Sequence, residues 1–134
     1  MCGIAGLVYR DRARVCDGAV VAAMRDVMAY RGPDDAGMHL DGPVGLGFRR
    51  LSIIDLGGGH QPMTDARGTR WIIFNGEIYH SRALRQELIA SGHSFQSHSD
   101  TEVILQLSLD RGEKCVAALN GMFARAIWGA GRQP

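Results

Sequence analysis

The chain reads as an α+β protein built in layers, and three features of the sequence predict this. Its short apolar runs come in groups and do not alternate strictly with helical patterns, as a doubly wound sheet would require. Eighteen glycines, many beside those runs, mark tight connections and close backbone approaches, a sign of sheet-rich structure. The 134 residues suffice for one domain with a core and are too few for two.

The first run, CGIAGLVY at 2–9, predicts a strand starting almost at the first residue, with Ile4, Leu7 and Val8 among small residues. Asp17 suits the N-cap of a helix to about Ala29, with Val20, Met24, Val27 and Met28 on one apolar face. RGPDDAG at 31–37 breaks that helix through Gly32 and Pro33. Short strands follow: MHL, VGLGF, and RLSIIDL at 50–56, punctuated by GGG at 57–59 and by Pro62. TDARGT at 64–69 predicts a hairpin turn into the strand RWIIF, which ends at Asn75-Gly76. Ser81 is a cap candidate for a helix through Ala90, with Leu84 and Leu88 facing inward. Ser99 and Glu102 have the spacing of a capping box and open a further helix carrying Val103, Ile104 and Leu107. A short helix near 113–119 and a final strand, MFARAIW, complete the pattern, with no internal repeat or dividing linker.

Composition narrows the function. Fifteen basic and fourteen acidic side chains nearly cancel, and no basic block interleaved with aromatics points to nucleic acid. No apolar stretch approaches the roughly 20 residues that span a bilayer, and the amino terminus lacks a secretory pattern. Three scattered cysteines form neither a disulfide framework nor a CxxC pair, so a reduced, cytoplasmic setting is expected. The five histidines are dispersed and expected at the surface, no cluster has metal-ligand spacing, and Cys16 and Cys115 are expected to be structural thiols.

Cys2 is the residue with a chemical alternative. Within a strand it is a small apolar side chain. If Met1 is removed, however, it carries a thiol and a free α-amine, whose unperturbed pKa of about 7.7–8.0 leaves a neutral fraction at physiological pH. One residue is then both nucleophile and base.

The ordered motifs MCGIAGL, RGPDDAG, RRLSIIDL, QPM, FNGEIY and SDTEVIL give this alternative its weight. Together they resemble the class II glutamine amidotransferases, and more narrowly the glutaminase domain of asparagine synthetases, from residue 1 to about Trp128. The resemblance implies a layered α/β/β/α sandwich of the N-terminal-nucleophile hydrolase type, incomplete at its carboxy terminus. It implies Cys2 as the nucleophile on the side-chain amide of L-glutamine, and Asn75 and Gly76 as the oxyanion hole. Arg50 corresponds to the arginine that grips the α-carboxylate, a task suited to a planar guanidinium fork. Leu51, Ser52, Ile53 and Ile54 would line the same pocket through their backbones, and Glu77 and Asp100 would face the α-ammonium.

Each position also has a plainer reading. Arg50 suits a solvated strand end, Asp100 stabilises a helix dipole, and Asn-Gly is a common turn. Phe48 stands where the family commonly has histidine, and His80 where it often has asparagine. No cofactor is implied for glutamine hydrolysis; ATP and magnesium belong to the family's synthetase domain, whose phosphate-binding loop is not represented, since GGG at 57–59 lacks the flanking serines and following helix. Residues 1–128 are therefore expected to be a shortened amidotransferase domain and 129–134 a tail outside the family pattern, with sheet edges exposed as a result. The implied partners are L-glutamine and a synthetase domain, with room for a homodimer. An amidotransferase with another ammonia acceptor, or an inactive glutamine-binding or partner-binding remnant, are the alternatives.

Overall fold

The computed structural model describes residues 1–52 and 58–129, and they form four layers. Strand β1 (Gly3–Val8), helix α1 (Gly18–Asp26) and strands β2 (Asp35–Asp41) and β3 (Val44–Arg50) come first. A short β4 (Met63–Thr64), β5 (Arg70–Ile78), α2 (Ser81–Ala90), α3 (Asp100–Arg111), a 3-10 helix (Gly112–Ala118) and β6 (Gly121–Gly129) follow. The strands make two antiparallel three-stranded sheets, ordered β1-β3-β2 and β4-β5-β6. Among the described residues no helix is long and apolar enough to cross a membrane.

Alternation along two strands builds the layers. In β3, Val44, Leu46 and Phe48 project toward the second sheet and form a buried cluster with Ile73, against which Cys2, Ile4, Trp71 and Trp128 pack. Gly45 and Gly47 lie on the opposite face, under α1. A Cβ on Gly45 would come 2.5 Å from Val21 Cγ2 and 2.7 Å from Cys16 Sγ, so the helix rests directly on the strand backbone. In β5 the same alternation sends Ile72, Phe74 and Ile78 outward, where they join Leu84, Leu88, Val103, Ile104, Leu105 and Leu107 from α2 and α3. The order α1, first sheet, second sheet, α2 with α3 is the expected α/β/β/α sandwich.

Several elements depart from expectation. Helix α1 ends at Asp26, and i+3 bonds carry the chain through Met28, Ala29 and Arg31. Gly32 must pass close to the Arg49 carbonyl group, and that approach forces the unwinding. The buried face of α1 centres on Val21, while Val20 and Val27 are exposed, because Val21 is the side chain that meets the glycine track of β3. VGLGF and Arg50 belong to one strand: β3 runs on while β1 and β2 supply partners, through Gly3↔Arg49 and Asp35↔Arg50, and stops there. Leu51 and Ser52 are not strand, and residues 53–57 of the expected RLSIIDL strand lie outside the described residues.

The caps agree in part. Asp17 Oδ1 accepts from Ala19 N–H at 2.9 Å, and Ser99 Oγ from Glu102 N–H at 3.2 Å. Ser81, however, is the first helical residue of α2, and His80 is its N-cap, without a side-chain cap bond. Glu102 does not close the capping box on Ser99. Its buried carboxylate turns to the preceding loop and accepts from Gln96 N–H, Ser97 N–H and Ser97 Oγ at 2.8, 2.7 and 2.5 Å. The expected hairpin turn is present, gathered around buried Asp65, which accepts from Thr69 N–H and Arg70 N–H, both at 2.7 Å.

Candidate active site at the open end of the sandwich

Cys2 immediately precedes the first β1–β3 pair, Gly3↔Arg49. Its Sγ lies 3.5 Å from Leu51 N–H, which donates to it, and 4.0 Å from the Leu51 carbonyl, which accepts from the thiol. It packs with Ile4 on the face that meets the second sheet. Arg50, the last residue of β3, follows Phe48 on that same face and is 9% exposed. Its guanidinium lies against Gly59, where a Cβ would sit 2.5 Å from Nη2 unless the arginine head moved.

The RGPDD segment holds the chain around Arg50. Asp34 N–H donates to the Arg50 carbonyl at 2.9 Å, and Asp34 Oδ2 accepts from Ser52 N–H at 2.7 Å. Asp35 Oδ2 meets His60 Nδ1 at 2.6 Å. Burial works to raise the Asp35 pKa, but the His60 and Ala36 hydrogen bonds, with the charges of His60 and Arg50, outweigh it and hold the carboxyl below its ordinary range. These anchors are not foreseen from sequence, where RGPDDAG is a helix breaker and one of the ordered family motifs, with no contact assigned to its carboxylates. The contacts join positions 18 and 25 residues apart, and no local pattern encodes them.

Asn75, Gly76 and Glu77 do not end β5. The strand continues to Ile78, with Asn75↔Ala124, Gly76↔Phe123 and Glu77↔Met122 paired to β6. The Asn-Gly turn signal loses to this pairing with a distant strand. Asn75 and Glu77 follow Trp71 and Ile73 on the face toward the first sheet, and β1 and β5 touch across that layer. Gly76 has φ +149°, outside the range of L side chains, and a Cβ there would overlap the Met122 carbonyl oxygen and come 2.5 Å from Phe123 Cα. On the edge away from β6, Phe74 N–H donates to Gln61 Oε1 at 2.6 Å and Ile78 N–H to Asp100 Oδ2 at 3.1 Å. Antiparallel alternation turns the intervening Gly76 N–H to the same edge.

Cys2, Arg50, Leu51 and Ser52 thus gather at one end of the first sheet, and Asn75, Gly76, Glu77 and Asp100 along the second. Ile53 and Ile54 lie outside the described residues. Among those described, no three His, Cys, Asp or Glu side chains group as metal ligands. A cleft of about 480 Å³ elsewhere, between the 65–69 turn and the 92–96 loop, contains none of the expected site residues.

The histidines need correction: only His60 and His98 are exposed. His80 Nε2 lies 2.9 Å from the Ala118 carbonyl, and His93 sits between Gln106 and Asp110. His39 stacks on Trp71 with ring centres 3.7 Å apart, and burial lowers its pKa. Phe48, where the family commonly has histidine, is 1% exposed and belongs to the inter-sheet core. Cys16 and Cys115 are buried free thiols, as expected of structural ones.

Comparison with known proteins gives this geometry its family. The model of the glutamine amidotransferase domain matches residues 1–134. Two Bacillus subtilis proteins named asparagine synthetase [glutamine-hydrolyzing], 1 and 3, are 45% and 43% identical over 130 residues, covering 96% of this chain and 21% of each relative. Asparagine synthetase B of Escherichia coli is 40% identical over 102 residues, 76% of this chain and 18% of the relative. The chain thus spans about a fifth of the length of these relatives. The solved glutamine phosphoribosylpyrophosphate amidotransferase of B. subtilis shares the fold, with TM-score 0.55 and 23% identity over 67% of this chain and 22% of that one. With a family model matched along its full length and the layered sandwich of a solved amidotransferase, the chain belongs to the glutamine amidotransferase domain family, and its sequence is homologous to the amino-terminal part of asparagine synthetases.

Proposed function

We propose that this chain is the glutamine-hydrolysing unit of an asparagine synthetase, with Cys2 as its nucleophile once Met1 is removed. The observation that carries the reading is the environment of Cys2: its thiol lies beside Leu51 at the end of a sheet where buried Arg50 faces the same side.

In this reading Arg50 binds the glutamine α-carboxylate, helped by the backbone of Leu51 to Ile54, while Glu77 and Asp100 face the α-ammonium. The Cys2 α-amine takes the thiol proton, directly or through water, and the sulfur attacks the side-chain amide carbon. Negative charge develops on the carbonyl oxygen, where the Asn75 side-chain N–H and the Gly76 N–H stabilise it. Collapse breaks the C–N bond, and the ammonium returns its proton to the leaving nitrogen, releasing ammonia and leaving a γ-glutamyl thioester. Water then attacks the thioester, glutamate leaves, and the thiol is restored.

The ammonia would serve a synthetase domain, in keeping with the relatives' names, asparagine synthetase [glutamine-hydrolyzing]; amidation of aspartate there with ATP and magnesium is what the family resemblance implies. The test is release of glutamate and ammonia from glutamine by protein lacking Met1, beside a Cys2→Ala variant. Activity lost in the variant supports the reading; equal rates in both contradict it.

A further inference from the structure

The QPM segment stands out in the sequence, and the mechanism above leaves it without a role. Gln61 is 5% exposed and touches three layers of the sandwich. Its backbone carbonyl lies against Gly37 of β2, where any Cβ would overlap it. Its side-chain Oε1 accepts from Phe74 N–H of β5 at 2.6 Å, and its Nε2 donates to Thr101 Oγ1 of α3, itself 4% exposed, at 3.1 Å. The amide orientation is settled by its partner, since the Phe74 N–H can only donate.

Phe74 precedes Asn75 and Gly76, and Thr101 follows Asp100, which accepts from Ile78 N–H. Five residues of β5, Phe74 to Ile78, are thereby pinned at both ends, by Gln61 at Phe74 and by Asp100 at Ile78, with the Gly76 N–H between. Gln61 joins both pins, since it also holds the first turn of α3. We infer that Gln61 is a positioning residue for the amidotransferase reaction, fixing where the Gly76 N–H points. This rests on the glutaminase reading above.

A donor displaced by a fraction of an ångström loses stabilisation that exists only in the transition state, whereas substrate binding at Arg50 is untouched. In protein lacking Met1, Gln61→Met keeps the volume and loses both hydrogen bonds. It is expected to lower kcat for glutamine about 10- to 100-fold with KM within about threefold. Alkylation of Cys2 by iodoacetamide, which forms no oxyanion, is expected at the unaltered protein's rate. Thr101→Val removes only the second hydrogen bond and is expected to lower kcat about 3- to 10-fold; it carries the test if Gln61→Met does not fold. A folded Gln61→Met or Thr101→Val protein with unchanged kcat overturns the positioning role, as does a parallel fall in kcat, substrate binding and alkylation. Absence of glutamine hydrolysis in the unsubstituted protein instead overturns the glutaminase reading.

Discussion

Gly76→Ala is the substitution at which geometry makes the sharpest demand. Its φ of +149° lies where L residues are rarely found, and holding one there costs about 1–3 kcal/mol. A second cost is steric. The added methyl would overlap the Met122 carbonyl oxygen and approach Phe123 Cα to 2.5 Å, and both belong to a paired strand backbone that cannot swing aside. Overpacking of this kind costs typically about 1–3 kcal/mol, so the expected destabilisation is about 2–6 kcal/mol. Gly68→Ala supplies the control. Gly68 also has positive φ, +68°, but nothing lies within 4 Å of its added Cβ. There only the left-handed conformation is penalised, by about 1–2 kcal/mol. Urea unfolding of both variants, with glutamine turnover measured alongside, tests the argument. Gly76→Ala should be the less stable, and turnover should fall because relieving the overlap moves the Gly76 N–H, whereas Gly68→Ala should retain activity. A Gly76→Ala protein as stable as Gly68→Ala would refute the close approach of β5 and β6 at this point.

Three further outcomes follow from the same structure. Asn75→Ala should lower kcat about 100- to 1,000-fold with little change in KM, since its amide acts on charge that forms only in the transition state; steady-state kinetics with glutamine would show it. Ile104→Ala, at a site with 0% exposure in the core between α3 and the second sheet, should cost about 2–5 kcal/mol by urea denaturation. Asp65 is subject to burial, which would raise its pKa, but hydrogen bonds from Arg70 and Thr69 prevail and hold it below the ordinary 3.8. The unfolded chain then binds more protons than the folded one just below that ordinary value. Its stabilisation is therefore complete above about pH 5 and declines as pH falls through the ordinary value toward the depressed folded one. Asp65→Asn should flatten the acid side of a plot of urea midpoint against pH.

Much of the fold was legible because local chemistry and tertiary packing agree. Asp17 and Ser99 cap the helices that their positions announce, and Leu84 and Leu88 point inward as their spacing requires. The alternation in VGLGF was visible too, although that its glycines bear α1 is a matter of packing. Where expectation failed, a distant partner decided. Asn75-Gly76 carries the signal of a turn, yet β6, more than forty residues on, holds it in a strand. Glu102 matches a capping box but finds better donors at Gln96 and Ser97. His39 looked like a surface residue until Trp71 from the other sheet covered it. The site followed the same division: the motifs identified candidate side chains, while the Asp34, Asp35 and Gln61 anchors depend on contacts that sequence periodicity does not carry.

The central claim is that Cys2 is a nucleophile beside a glutamine pocket. Intact-mass measurement of the folded protein, before and after exposure to an electrophilic glutamine analogue, tests it most directly. The account predicts a mass lacking Met1 and, after exposure, a single adduct that maps to Cys2 and is suppressed by excess glutamine. A folded protein that lacks Met1 and takes no adduct would contradict it.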